Sequence, residues 1–361
     1  MKAVTYVVAA AGVAGALLAG SASLRAQGAL PPGPKVKVVM VTQPGPGLPQ
    51  YTTVDVPMLK EAVPQKSGGR IEVELASWPE RNLSGPEIIR LVRSGQVDIG
   101  AAPLATVSGD VPFLDIVDLA GLNPTIEQAR KVAEAVLPEA NKALERFNTR
   151  IIAMYPFPAQ VLFCRQPVNS LEDVKGRKVR THGGSLNDFI SAVGGQPVGI
   201  GFPEVYGALE RGVVDCAVTG TASGNGARWY EVSKSMYALP LGWAVAAYYV
   251  NTSWWNRLDP QVRAFLEQTM KEVEKAQWDL GARATEDGIA CNTGNREGCK
   301  IGKLVESNPM TVARPTPADE QALRRHLAET VLPAFVKRCD AACGEQYNKL
   351  VAPITGVRFG G

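Results

Sequence analysis

From Val36 onward, short apolar runs alternate with amphipathic stretches, and Gly or Pro separates one from the next. The β-branched run at residues 36–41 (VKVVMV) ends in Gly- and Pro-rich loop chemistry and predicts a strand. Residues 57–63 carry a helical pattern that Pro64 is expected to end. Residues 71–75 (IEVEL) alternate as a strand does, and residues 84–94 (SGPEIIRLVRS) bear a helix signature. There Ser84 suits the N-cap, Pro86 sits early, Glu87 is placed to reach back, and Gly95 stops the helix. Residues 97–101 (VDIGA) predict a third strand. Strand, helix and strand at these lengths imply a mainly parallel sheet.

Residues 125–147 form a long helical tract with capping-box spacing between Thr125 and Gln128, and Pro138 is expected to break or kink it. After it the α/β rhythm returns. Strands are predicted at 150–155, 160–165, 178–181, 196–200 and 213–218, with a capped turn at 170–175 and helices at 186–193 and 203–211. Asp259 and Pro260 then open the longest element, which runs to about Glu286 with Gly281 as its only glycine. At 1.5 Å per residue it would be about 40 Å long, enough to bridge two domains.

The reading is an α/β, two-domain fold with a long bridging helix. Residues 1–26 are a signal peptide and 27–35 a leader. Domain I spans 36–150, with part of 220–258 returning to it. Residues 151–220 are the core of domain II, 259–286 the interdomain helix, and 287–361 a C-terminal helical segment bearing disulfides.

The first residues bear on compartment. Lys2 precedes an apolar and small-residue run over 4–18, and SASLRA at 21–26 offers cleavage near Ala26. The run is too short and too rich in Ala and Gly for a membrane span. The chain is expected to act in the periplasm. Removing residues 1–26 takes away Lys2 and Arg25 and no acid, so the formal charge falls from +3 to +1. Near-neutrality leaves no electrostatic footprint for nucleic acid.

Six cysteines fit an oxidising compartment. Cys291 and Cys299 flank a Gly/Asn-rich turn, Cys339 and Cys343 flank DAA, and both pairs are disulfide candidates. Zinc is the rival for those four, although their spacings are not the paired CxxC of common structural sites. Cys164 and Cys216 lie in apolar runs, as buried thiols or as a third bridge.

The chain is poor in catalytic groups. It has two histidines, His182 and His326, and no HExxH, P-loop or GxGxxG. His182, Ser185 and Asp188 share one loop and helix start, whereas triad members converge from separate elements. A simpler reading makes Ser185 a helix cap and Asp188 a first-turn acid. No catalytic residue, cofactor or metal is expected. Arg180 is different. It closes the extended KVR run and is followed at once by a Gly-rich loop and a helix N-terminus, a setting that suits a carboxylate, although a surface ion pair is the commoner fate of an arginine.

Residues 172–180 (EDVKGRKVR), Gly195–Val198 (GQPV), Phe202–Leu209 (FPEVYGAL) and Gly212–Asp215 (GVVD) keep the order and spacing of one family's blocks. Weaker matches fall at Gly68–Val73, Arg93–Gly100 and Val250–Asn251. The chain resembles the extracytoplasmic solute receptors of tripartite ATP-independent periplasmic (TRAP) transporters, the C4-dicarboxylate-binding receptor family.

The resemblance implies that Arg180 grips a ligand carboxylate. A second arginine common in the family is here Gln160, a frequent Asn is Thr219, and a Gly is Cys216. The missing arginine points toward a monocarboxylate with an apolar or aromatic body. Phe202 and Trp243 are the family's pocket aromatics or else core residues. His182 is placed to reach the ligand by its loop alone. Tyr206 and Glu204 match the family and read as structural, and Asp215 as orienting a neighbour. The resemblance further implies a periplasmic-binding-protein-like (type II) fold, a small organic acid bound in an interdomain cleft by closure, delivery to the membrane subunits of a TRAP transporter, and a monomer. A sensor receptor of the same fold and an exported α/β enzyme are the competing readings.

Overall fold

The computed structural model describes Met1 and residues 30–360; the rest of the expected signal peptide and residues 27–29 of the leader lie outside the described residues. Among the described residues no helix is long and apolar enough to cross a membrane.

Eleven strands occur in chain order among these residues. They are β1 (Val36–Thr42), β2 (Ile71–Ser77), β3 (Ile99–Pro103), β4 (Thr149–Tyr155), β5 (Gln160–Cys164) and β6 (Lys178–Thr181). Then come β7 (Gln196–Gly199), β8 (Cys216–Gly220), β9 (Ser235–Tyr237), β10 (Ala246–Asn251) and β11 (Thr311–Ala313). They form two sheets, ordered β2-β1-β3-β10-β4 and β11-β9-β5-β8-β6-β7. In the first, β1 runs parallel to β2 and β3, and β10 is antiparallel to β3 and β4. In the second, β6 is parallel to β7 and β8, and β5 is antiparallel to β8 and β9. Every residue of β3, β5, β8 and β10 is buried. Such uninterrupted apolar strands belong to sheets covered on both faces.

Most predicted elements are present, with shifts that have physical causes. The helical pattern at 57–63 begins earlier, as a π-helical stretch Gln50–Glu61 that passes into the α-helix Ala62–Lys66. Pro57 inside it cannot donate to a ladder, and the amide of Ala62 reaches back five residues to the Pro57 carbonyl. Pro64 does not end this helix; Gly68 and Gly69, both at positive φ, do. Ser84 is not the N-cap of the next helix, whose regular part is Ile88–Ser94. Instead the Glu87 carboxylate accepts from the Ser84 and Gly85 amides. Thr125 does cap Ile126–Leu144, and Pro138 leaves that helix unbroken. β3 and β8 each lie two to three residues later than the apolar runs suggest.

The long helix is Pro260–Asn292, 33 residues capped by the Asp259 carboxylate. It passes the expected end at 286 because Gly288 stays helical, and the first glycine at positive φ is Gly294, at φ 76°. At 1.5 Å per residue it is about 50 Å long. Its middle packs on the first sheet, where the Trp278 indole donates to the Met154 carbonyl at 2.8 Å. Its last turns pack on the second, where Thr221 Oγ1 donates to the Thr285 carbonyl at 2.8 Å. Gly288 lies against the backbone at Thr221–Ala222, too close for any side chain.

Two further segments, 156–159 and 238–245, cross between the sheets side by side. The amides of Phe157 and Gln160 donate to the carbonyls of Trp243 and Gly242, both at 2.8 Å. The half-buried Asp118 carboxylate accepts the Trp243 amide at 2.7 Å and fixes this pair of crossovers. All six cysteines are bridged, as Cys164–Cys216, Cys291–Cys299 and Cys339–Cys343. The zinc reading therefore has no thiolate to use. Cys164 and Cys216 face each other in register across β5 and β8.

Candidate functional site

Between the two sheets lies a cavity of about 580 Å³. Pro44, Leu48, Trp78 and Pro86 wall it from the first sheet's side; Gln160, Arg180, Phe202 and Thr219 wall it from the second. The wall is mainly apolar, the usual make-up of a small-molecule site with a few placed polar groups.

Arg180 is the most informative of these groups. The β6 register sets it beside Val198 of β7 and Ala217 of β8. Its side chain runs inward and is 3% exposed. Nε donates to the Ile200 carbonyl at 2.8 Å and Nη1 to the Val218 carbonyl at 2.9 Å. These bonds aim the guanidinium without neutralising it, and among the described residues Nη2 has no hydrogen-bond partner and no carboxylate forms an ion pair with it. Burial alone lowers its pKa from 12.5 to about 9, so it stays charged at neutral pH. A buried cation without a counter-ion is expensive and is relieved by an anion that accepts its free N–H groups.

His182 stands next to it and lines the same cavity. Burial and the Arg180 charge push it down to about 3, so the imidazole is neutral. Gln160 also faces the cavity, with Nε2 donating to the Pro158 carbonyl at 2.9 Å. Thr219 lies opposite Val161 across β5 and β8 and is buried in the wall. The ring of Phe202 stacks on Trp229 with centroids 5.3 Å apart, and the guanidinium carbon of Arg180 is 5.9 Å from its centre. Phe202 thus serves both core and wall.

Trp243 does not line the cavity. Its indole N–H donates to the Asn123 carbonyl at 2.9 Å and its amide to Asp118, so it belongs to the crossover. The wall position falls to its neighbour Ala244, held at φ 41°.

The His182, Ser185 and Asp188 trio does not assemble, and no hydrogen bond joins them among the described residues. Nor is Ser185 a cap; the helix Gly184–Ala192 starts at Gly183, and the Ser185 amide donates to Asp115 at 3.2 Å. Asp188 pairs with Arg338. Glu204 accepts from Ser84 across the two sides, at 3.1 Å, and Tyr206 donates to Glu231. Asp215 accepts the Lys178 amide at 2.8 Å, holding the start of β6.

Sequence reasoning missed two charged residues of the wall. Arg338, from the C-terminal helix Leu332–Cys339, pairs with Asp115 at 3.4 Å as well as with Asp188. It ties the two sides together at the rim, some 150 residues from one partner and 223 from the other. No local pattern marks such a contact. The apolar residues from loops, such as Pro44, Leu48 and Pro86, carry no sequence signal either.

The family model described as DctP, bacterial extracellular solute-binding protein, family 7, matches residues 40–337. The chain is 24% identical over 230 residues to the sialic acid-binding periplasmic protein SiaP of Vibrio cholerae, covering 61% of this chain and 69% of that one. A TRAP periplasmic solute-binding protein of Desulfovibrio salexigens, solved with orotic acid, superposes with a TM-score of 0.76 at 19% identity, covering 89% of this chain and 100% of that one. The receptor DctP7 of Bordetella pertussis, which binds pyroglutamic acid, superposes with a TM-score of 0.74 at 20% identity, covering 86% and 98%.

Proposed function

The chain belongs to family 7 of the bacterial extracellular solute-binding proteins, and from that premise we propose that it is the exported receptor of a TRAP-type importer, capturing a small carboxylate in the cleft between its two domains. The observation that carries this reading is Arg180. It is a buried cation, aimed by two backbone carbonyls, with donors left over and a cavity beside it.

The ligand carboxylate accepts from the free side of the guanidinium, and Gln160 and Thr219 supply adjoining polar contacts. His182, neutral beside it, offers a hydrogen bond with no charge to repel the arginine or neutralise the acid. Phe202 covers part of the ligand's body. The half built on the first sheet, which takes in β4 and β10, and the half built on the second sheet close over it, turning about the paired crossovers and the long helix. Ligand bound between the domains touches both only when they are closed, so its affinity difference shifts the population to that form. The closed monomer then docks on membrane subunits and hands over the acid unchanged.

The test is mass spectrometry of small molecules released by denaturing the purified protein. Wild type should release an organic acid in near-stoichiometric amount, and Arg180→Ala should release none while keeping its circular dichroism spectrum. An acid retained equally by Arg180→Ala would contradict the assignment.

A further inference from the structure

We infer that this cavity selects an acid with a single carboxylate and an apolar or aromatic body, and discriminates against dicarboxylates and polyhydroxylated acids. The inference rests on the receptor reading above and names the class of ligand that the same site takes.

The first argument is the charge of the wall. Its titratable residues are Asp115, Arg180, His182 and Arg338. His182 is neutral. Arg338 is already spent on Asp115 and Asp188, two carboxylates for one guanidinium. Arg180 is the one cation of the wall with no carboxylate beside it. One ligand carboxylate balances the site. A second would lie in the apolar wall without a partner or beside the Asp115–Arg338–Asp188 cluster, which has no cation to spare.

The second argument is the fate of the polar groups around the cavity. A sugar acid offers a ring of hydroxyls, each of which loses free energy when buried unless it is paired. Four of the wall's side-chain donors are committed within the protein, and Thr106, Thr219 and the buried, unpartnered Ser223 Oγ remain for a ligand, fewer than a ring of hydroxyls needs. Gln160 Nε2 is given to Pro158, Thr181 Oγ1 to Asn187, Ser108 Oγ to the Ala105 carbonyl at 2.8 Å, and Ser84 Oγ to Glu204. The surface between them is supplied by Leu48, Trp78, Phe157, Ile200 and Phe202. Apolar area of that kind favours a ring or branched hydrocarbon and returns nothing to a hydroxyl. At about 580 Å³ the cavity is also larger than a two- or three-carbon acid would fill.

Matched ligands test this on wild-type protein stripped of bound solute by unfolding and refolding. The probes are phenylacetate and cyclohexanecarboxylate, then 1,4-phenylenediacetate with a second carboxylate, phenylacetamide with none, and D-glucuronate with hydroxyls. Thermal shift and calorimetry should show the two monocarboxylates binding at least about tenfold tighter than each of the other three, a difference of roughly 1.4 kcal/mol. Glucuronate or the dicarboxylate binding as tightly as the monocarboxylates, or neither monocarboxylate binding, overturns the selectivity. If that tight binding disappears in Arg180→Ala, the receptor reading stands without the selectivity. If phenylacetamide binds as well as phenylacetate, the acid-binding reading itself fails.

Discussion

Arg180 holds a charge where burial opposes it, and that fixes what its removal should do. Its pKa in the folded chain falls from 12.5 to about 9. A base with a depressed folded pKa destabilises the fold at every pH below that value, and the cost fades only as pH rises through about 9. At neutral pH the shift corresponds to something on the order of 4–5 kcal/mol. Arg180→Gln keeps one donor for the two carbonyls and removes the charge. The ligand-free variant should therefore be more stable than wild type by about 1–2 kcal/mol, after a lost hydrogen bond is set against the relieved charge. Urea unfolding of ligand-free protein measures it, and a variant less stable than wild type would count against an uncompensated cation. The strand end, glycine loop and helix start around this residue were legible in the sequence, and the family resemblance, not that local pattern, set it apart from a surface ion pair. Trp243 was not, because the family's aromatic position lies one residue from the wall and only the clamp by Asp118 shows which way the crossover turns. Arg338 and Asp115 meet through tertiary packing alone.

Among the elements, the long helix has the strictest demand. A side chain at Gly288 would meet the Ala222 nitrogen at 2.3 Å and the Thr221 carbonyl carbon at 2.5 Å, both backbone atoms that cannot swing aside. Gly288→Ala should destabilise by about 2–3 kcal/mol despite alanine's better helix propensity, because the overpacking cost exceeds the gain of roughly 1 kcal/mol. Gly281→Ala, facing Pro156 Cγ at 2.6 Å, should cost less, since a ring carbon can yield. Equal or higher stability in Gly288→Ala would show that the helix does not seat on that backbone. The helix start was readable from Asp259 and Pro260, and its end was not, because residues 287–292, Gly288 included, are held helical by tertiary packing. Asp287, for example, accepts the amides of Ile301 and Gly302. The short strands β9 and β11, three residues each, had too little periodicity to be seen.

At the scale of the whole molecule, three acids shape the pH response. Burial raises Asp55, Asp115 and Asp118 from 3.8 to about 6 each. An acid whose folded pKa is raised contributes stability that is fully present below its unfolded pKa and is lost as pH rises through about 6. The carboxylates held below their usual range, such as Glu80 and Asp319, titrate at lower pH, whereas His182 and His326, both held below 6.5, oppose the trend as pH falls and offset only part of the gain from three acids. Stability of the ligand-free protein should therefore increase as pH falls from about 7.5 to about 5. Urea midpoints across that range check it, and a flat or falling curve would mean these carboxyls are better solvated than their burial implies. The two-sheet architecture itself was legible in the alternation of strands and helices. The return of β10 to the first sheet was foreseen only as part of a broad region, 220–258, because a single buried strand has no period that reveals its partners.

Closure on an acid, with Arg180 as its anchor, is the claim on which the rest depends. Small-angle X-ray scattering of ligand-stripped protein, before and after adding the acid recovered from the native protein, tests it directly. The radius of gyration should fall in wild type and stay unchanged in Arg180→Ala, and the acid should be recovered chemically intact. Binding in wild type without any compaction, or conversion of the acid, would contradict it.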